Sequence, residues 1–244
     1  MRVMSMHKMN ARTEANLPPD PEVMAGMGPL IEEMSKTGVF LGGEGLRPSS
    51  ERVRVKLSRG EIAVTRGPYK GDNELIAGYS MIKTKSLEEA LAWTRRFAAA
   101  GVEGEIEIGP IVEPWDIGYM PRPEGELPIR YLVLHKASPA TEAGIAPTPA
   151  QQKAMGAIMT EMAQAGVLIS ADGLQPSSKA KRVTIARGKR TTIVDGPFTE
   201  SKELIAGYAM MNVQSLQEAI AWAEKFAAVV GDVEMDIRPV QETT

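Results

Sequence analysis

The chain is written twice. His7-Lys8 returns as His135-Lys136 at an offset of 128, and GLRPSS at Gly45–Ser50 returns as GLQPSS at Gly173–Ser178 at the same offset. ELIAGY at Glu74–Tyr79 returns at Glu203–Tyr208 with an offset of 129, so the second copy carries one inserted residue between Gly188 and Gly196. Ordered matches at a nearly constant offset mark a duplication, and a duplication restricts the fold before any propensity is weighed. Whatever one copy builds, the chain has to build it again.

Each copy reads as the same run of elements. A short strand (Val3–Met6; Tyr131–Leu134) precedes a helix whose apolar residues recur at helical spacing: Met27, Leu30, Ile31 and Met34, then Met155, Ile158, Met159 and Met162. Thr148 and Gln151 flank Pro149 as a capping box with an N1 proline, and Gly38 and Gly166 sit where a left-handed cap ends the helix. Val53, Val55 and Leu57 alternate with Arg52, Arg54 and Lys56, the period of a strand with one wet face. In the second copy a turn at Arg187-Gly188-Lys189 closes a hairpin. The strand Leu204–Val213 carries Gly207, a signal for a bulge or a close backbone approach. Ser86/Glu89 and Ser215/Glu218 open a second helix, and a last strand alternates Val233, Met235 and Ile237 with Glu234, Asp236 and Arg238.

The order strand, helix, strands, helix, strand predicts an α+β fold of two tandem ferredoxin-like domains, each with an extra hairpin. The first spans 1–113 and the second 128–244. A proline- and glycine-bearing segment, 114–127, reads as an extended, semi-rigid linker. One such sheet leaves a face uncovered by helices. Two on one chain can cover each other, which predicts an intrachain pseudo-dimer, a dimeric α/β-barrel made from one polypeptide, with room for a further homodimer.

Composition narrows the function. A net charge of −3, a pI near 5.6 and 5% aromatic residues give neither a phosphate track nor stacking platforms, so nucleic acid is not an expected partner. There is no cysteine, which removes thiolate chemistry and Cys-based zinc sites. No stretch approaches the roughly 18 apolar residues of a spanning helix and the N-terminus lacks a signal-peptide pattern; a membrane is not expected, and the cytoplasm is the expected location. No Walker loop, GxGxxG or HExxH is present. No cofactor and no metal are expected.

The run Asp195-Gly196-Pro197-Phe198-Thr199-Glu200, continued by Ser201-Lys202-Glu203-Leu204-Ile205-Ala206-Gly207-Tyr208, resembles the DGPF motif of the YCII-related family. GLQPSS and Glu142-Ala143-Gly144 are similar to that family as well. The resemblance covers the second copy throughout and the first more loosely, where the motif reads Arg66-Gly67-Pro68-Tyr69-Lys70-Gly71. It implies a dimeric α/β-barrel with a polar pocket. It also implies lyase-type chemistry on small molecules in a few members, and an accessory role in transcription in others.

The family's proposed His–Asp pair can be carried only onto His135 and Asp195, and onto His7 without its acid. Histidine exchanges a proton near neutral pH, and a carboxylate can orient it, so His135 with Asp195 reads as an acid–base pair acting on a small polar molecule. Against this, the histidines could be a duplicated strand-end residue, and Asp195 good turn chemistry. Glu200, Tyr208, His7 and Arg66 complete the candidates as ligand-binding residues. The alternative is a ligand-binding or transcription-accessory module without catalysis, which tolerates the loss of the acidic motif from the first copy.

Overall fold

The computed structural model describes residues 1–71, 74–100, 104–186, 191–199 and 201–242. The first copy supplies β1 (Arg2–Lys8), α1 (Ala11–Glu14), α2 (Pro21–Lys36), β2 (Phe40–Gly45), β3 (Val53–Ser58), β4 (Glu61–Arg66), β5 (Ile76–Thr84), α3 (Leu87–Ala98) and β6 (Gly104–Pro110). The second supplies β7 (Ile129–Lys136), α4 (Pro139–Glu142), α5 (Pro149–Gln164), β8 (Leu168–Gly173), β9 (Lys181–Ile185), β10 (Thr192–Asp195), β11 (Ile205–Asn212), α6 (Leu216–Val230) and β12 (Val233–Pro239).

These strands form two antiparallel sheets of six. Sheet I runs β10-β9-β12-β1-β11-β2 and sheet II runs β4-β3-β6-β7-β5-β8. Neither sheet belongs to one copy. In sheet I the first copy's β1 lies between β11 and β12 of the second, while in sheet II β7 lies between β5 and β6. The boundaries 1–113 and 128–244 therefore delimit the repeats in sequence but not the sheets in space. The physical reason is the duplication itself: β1 and β7 carry the same pattern, so each fits the slot made for the other. Removing either copy would strip a central strand from the remaining sheet.

The sheets cover each other's inner faces. Met4, Met6 and Met210 of sheet I pack with Tyr79, Leu132 and Leu134 of sheet II in one buried cluster. Outside, α2 and α6 cover sheet I, and α3 and α5 cover sheet II. Strand alternation then sorts the side chains of β1. Val3 faces the helices and Met4 and Met6 face the other sheet, so His7 falls on the helix side and Lys8 between the sheets. The same sorting on β7 sends His135 outward and Lys136 inward.

Several local expectations are met in detail. Thr148 and Gln151 form a reciprocal capping box behind Pro149. Gly38 and Gly166 adopt φ of 70° and 68°, the left-handed cap that a side chain resists. The ladder between β1 and β11 slips at His7/Lys8, opposite Gly207 and Ile205, which is the expected bulge.

Other expectations fail. Leu30 and Met34 are buried, yet Ile31 is 38% exposed, because α2 lies on the outside and buries a narrower stripe than its sequence allows. The segment 114–127 is not simply extended. Asp116 accepts from the Glu113 amide and pairs with Arg47, and the Tyr119 amide donates to Pro114 O, so the segment opens with bonded turns. The turn at 187–189 lies outside the described residues.

Candidate functional site

The family-like motifs first build a frame. Glu14 and Glu142 accept from the amides of Ser49 and Ser177, at 3.1 and 3.0 Å. The hydroxyls of those serines accept from the amides of Tyr69 and Phe198, at 3.1 and 3.0 Å. The chain passes so close that a Cβ on Gly67 or Gly196 would stand 1.7 Å from a serine carbonyl oxygen, which explains the glycine of Gly-Pro in both copies. The frame delivers an aromatic ring beneath an arginine in each copy: Arg54 lies 4.2 Å from the Tyr69 ring centroid and Arg182 lies 4.4 Å from that of Phe198.

Around each arginine is a buried ion centre between the sheets. In the second copy Lys8 donates to Ser201 Oγ (2.7 Å) and Asp236 Oδ2 (2.8 Å), while Arg182 holds Asp236 through Nε (2.6 Å) and Nη2 (3.0 Å). Burial alone would raise the Asp236 pKa, but Arg182 and Lys8 outweigh it and hold the carboxyl below its ordinary value.

In the first copy Lys136 donates to Glu74, and Arg54 bridges Glu74 (2.8 Å) and Glu107 (2.8 Å). Arg52 joins Glu107 at 3.0 Å. Against its burial, Lys136, Arg52 and Arg54 lower the Glu107 pKa to about 2. Arg52 and Arg54, read from sequence as a wet strand face, in fact point into the space between the sheets. The strand period was right and the solvent was wrong.

The histidines lie elsewhere. His135 packs on Phe97 of α3, with ring centroids 5.0 Å apart, beside a small, partly open cavity of about 10 Å³ bordered also by Ser80, Thr94 and Met159. That holds roughly one water and no substrate. His7 packs in the same way on Phe226 of α6 at 5.4 Å. Desolvation lowers both pKa values to about 4, so both rings are neutral at pH 7.

Asp195 sits on the edge strand β10 and accepts from Lys181 Nζ at 2.5 Å, with its side chain 74% exposed. Lys181 pairs across with Ile237, a residue of the helix-side core, so Asp195 lies on the outer face of sheet I. His135 lies on the outer face of sheet II. Both sheets separate the expected acid–base pair, because residue parity on each strand turns the two groups away from one another. Asp195→Asn should accordingly change stability by less than about 1 kcal/mol, as for an exposed pair, in urea denaturation at pH 7.

Arg66 also faces outward, 3.7 Å from Glu88. Glu200 lies outside the described residues. Among the described candidates Tyr208 alone faces inward, tilted on Tyr79 at 5.7 Å, and burial raises its pKa. Tyr79 donates to Asp172 Oδ2 at 3.0 Å, and Asp172 pairs with Arg2 at 2.9 Å. Tyr79→Phe should cost about 0.5–1.5 kcal/mol, the net worth of one hydrogen bond, read as a shift in urea midpoint at unchanged slope.

The residues of this polar centre that sequence reasoning missed are Lys8, Arg182, Ser201 and Asp236. A signal was present: Lys8/Lys136, Arg54/Arg182 and Glu107/Asp236 are charged at matching positions of both copies. Among the described residues there is no group of three His, Asp or Glu side chains arranged to hold a metal, and no helix is long and apolar enough to cross a membrane.

Two interleaved α+β repeats, each presenting one charged centre framed by the same motifs, define a two-copy antiparallel-sheet protein. The YCII-related domain matches residues 1–115 and again 129–241, and the chain belongs to that family as a tandem member. No curated protein and no solved structure matches it.

Proposed function

We propose that the protein is a non-catalytic module that binds a small carboxylated molecule between its sheets, at Lys8, Arg182, Ser201 and Asp236 under the Phe198 ring. In this reading the central strands β12-β1-β11-β2 and β6-β7-β5-β8 are two ferredoxin-like units, and the chain is an intrachain pseudo-dimer of them. The carrying observation is the direction of β1: its lysine enters the polar centre, whereas the histidine before it enters the apolar helix layer. Acid–base chemistry at His135 and Asp195 loses its support, since a base must come within hydrogen-bond reach of its orienting acid.

Lysine and arginine sharing one carboxylate beside a hydroxyl form a cationic, donor-rich site suited to a carboxylate. A saturable rise in Tm with at least one member of a panel of small organic acids is expected. It should reach about 2.7 kcal/mol of stabilisation at a hundredfold excess over Kd. The rise should vanish in Lys8→Met/Asp236→Asn, which removes opposite charges together. A panel without effect, or an undiminished response in that variant, would sink the proposal.

A further inference from the structure

Both copies place a buried guanidinium at the same point, but from different strands. In the first copy it is Arg52, just ahead of β3. Its Nε donates to Arg47 O (2.7 Å), its Nη1 to Glu107 Oε1 (3.0 Å) and Ile205 O (2.9 Å), and its Nη2 lies 3.8 Å from Met9 Sδ. The matching position in the second copy is Ala180. There the guanidinium comes instead from Arg238 of β12, whose own counterpart is Gly109.

Arg238 donates through Nε (3.2 Å) and Nη2 (2.6 Å) to Gln175 O, the counterpart of Arg47 O, and through Nη2 to Glu142 Oε1 (3.2 Å). Gly109 leaves Arg52 its space, since a Cβ there would stand 3.0 Å from Leu46 Cδ2 and 3.3 Å from Arg52 Cδ. Arginine and small residue have exchanged places while the guanidinium site has been kept.

The exchange is incomplete in one respect. Every side-chain nitrogen of Arg52 has an acceptor, but Nη1 of Arg238 has none among the described residues, although the side chain is only 1% exposed. The residue matching Met9, which supplies an acceptor to Arg52, is Ala137. The second copy thus carries alanine at both positions where the first carries Arg52 and Met9. A buried charged donor without an acceptor is rare in native proteins and calls for a water or an ion. The neighbouring Asp236 is already held by Lys8 and Arg182, and Glu142 is held by Nη2 and by the Ser177 amide.

We infer that Nη1 of Arg238, the one buried side-chain donor without an acceptor among the described residues, is the seat of the ligand's carboxylate. This deepens the binding role proposed above and rests on it. Among the described residues only the second copy has the open donor, so one carboxylate binds per chain.

Formate and bromide are the probes, since each presents little beyond its charge. At constant ionic strength, formate should raise the Tm of the wild-type chain. Its apparent affinity should fall at least tenfold in Arg238→Met and stay unchanged in Arg2→Met, which removes a cation outside the seat. Crystals of the wild-type protein soaked in bromide should show an anomalous peak within hydrogen-bonding range of Nη1. That measurement decides the matter even where Arg238→Met fails to fold.

Equal formate responses in wild type and Arg238→Met, or a water at Nη1 with no bromide signal, would overturn the assignment. If an organic acid still binds Arg238→Met but not Lys8→Met/Asp236→Asn, the binding module survives and only this seat fails.

Discussion

Lowering the pH from 7 to 4 is expected to remove up to roughly 3 kcal/mol of stability for each of the two histidines, at about 1.36 kcal/mol per pH unit between the free and the folded pKa. The folded pKa of His7 and His135 is about 4, against 6.5 for the free side chain, and desolvation is the cause. The fold holds each ring neutral, so its stabilisation is complete above pH 6.5 and is lost as protons bind the unfolded chain between 6.5 and 4. Glu107 acts in a different window. Its pKa is depressed to about 2, so its contribution is full above about 4.5 and fades only as pH falls toward 2. The two origins can therefore be separated. Urea denaturation at half-unit steps should show a steep fall between pH 6.5 and 4 in the wild-type chain and a much flatter one in His7→Gln/His135→Gln. Identical slopes would mean that the rings are solvated, and the inference that they lie in the helix layer would fall with that result.

Glu107→Ala is expected to destabilise the protein by roughly 3–5 kcal/mol at pH 7, the cost of leaving buried cations without their counter-charge. Three cations converge on this carboxylate: Arg52 at 3.0 Å, Arg54 at 2.8 Å and Lys136 at 3.6 Å. Its side chain is 1% exposed, so water cannot replace it. Glu107→Gln keeps an acceptor for one arginine and should fall between wild type and the alanine variant. Equilibrium denaturation measures both. A loss below about 1 kcal/mol for Glu107→Ala would show the centre to be hydrated, with its charges worth no more than an exposed pair.

Much of the fold was legible before any coordinates. The repeat, the element order, the capping box at Thr148 and the glycine caps at Gly38 and Gly166 all depend on residues close in sequence, where a local rule suffices. The bulge at Gly207 was legible for the same reason. The candidate site was much less so. His135 and Asp195 pair only on motif resemblance, and a motif does not say on which side of a strand a residue emerges. Arg52 and Arg54 were assigned to water because alternation separates two faces without saying what covers each one.

The sequence by itself determined that this chain is a tandem YCII-related protein built twice from the same α+β units, since those facts are carried by order, spacing and local chemistry. Only the tertiary structure decided which copy's strand completes which sheet. β1 and β7 are near-equivalent in pattern, and no one-dimensional signal distinguishes one pairing from its exchange. It also decided that the polar centre belongs to the lysines rather than to the histidines beside them. A second sheet lies over one face of β1 and helices over the other, and that choice sets which neighbouring residue meets charge and which meets hydrocarbon.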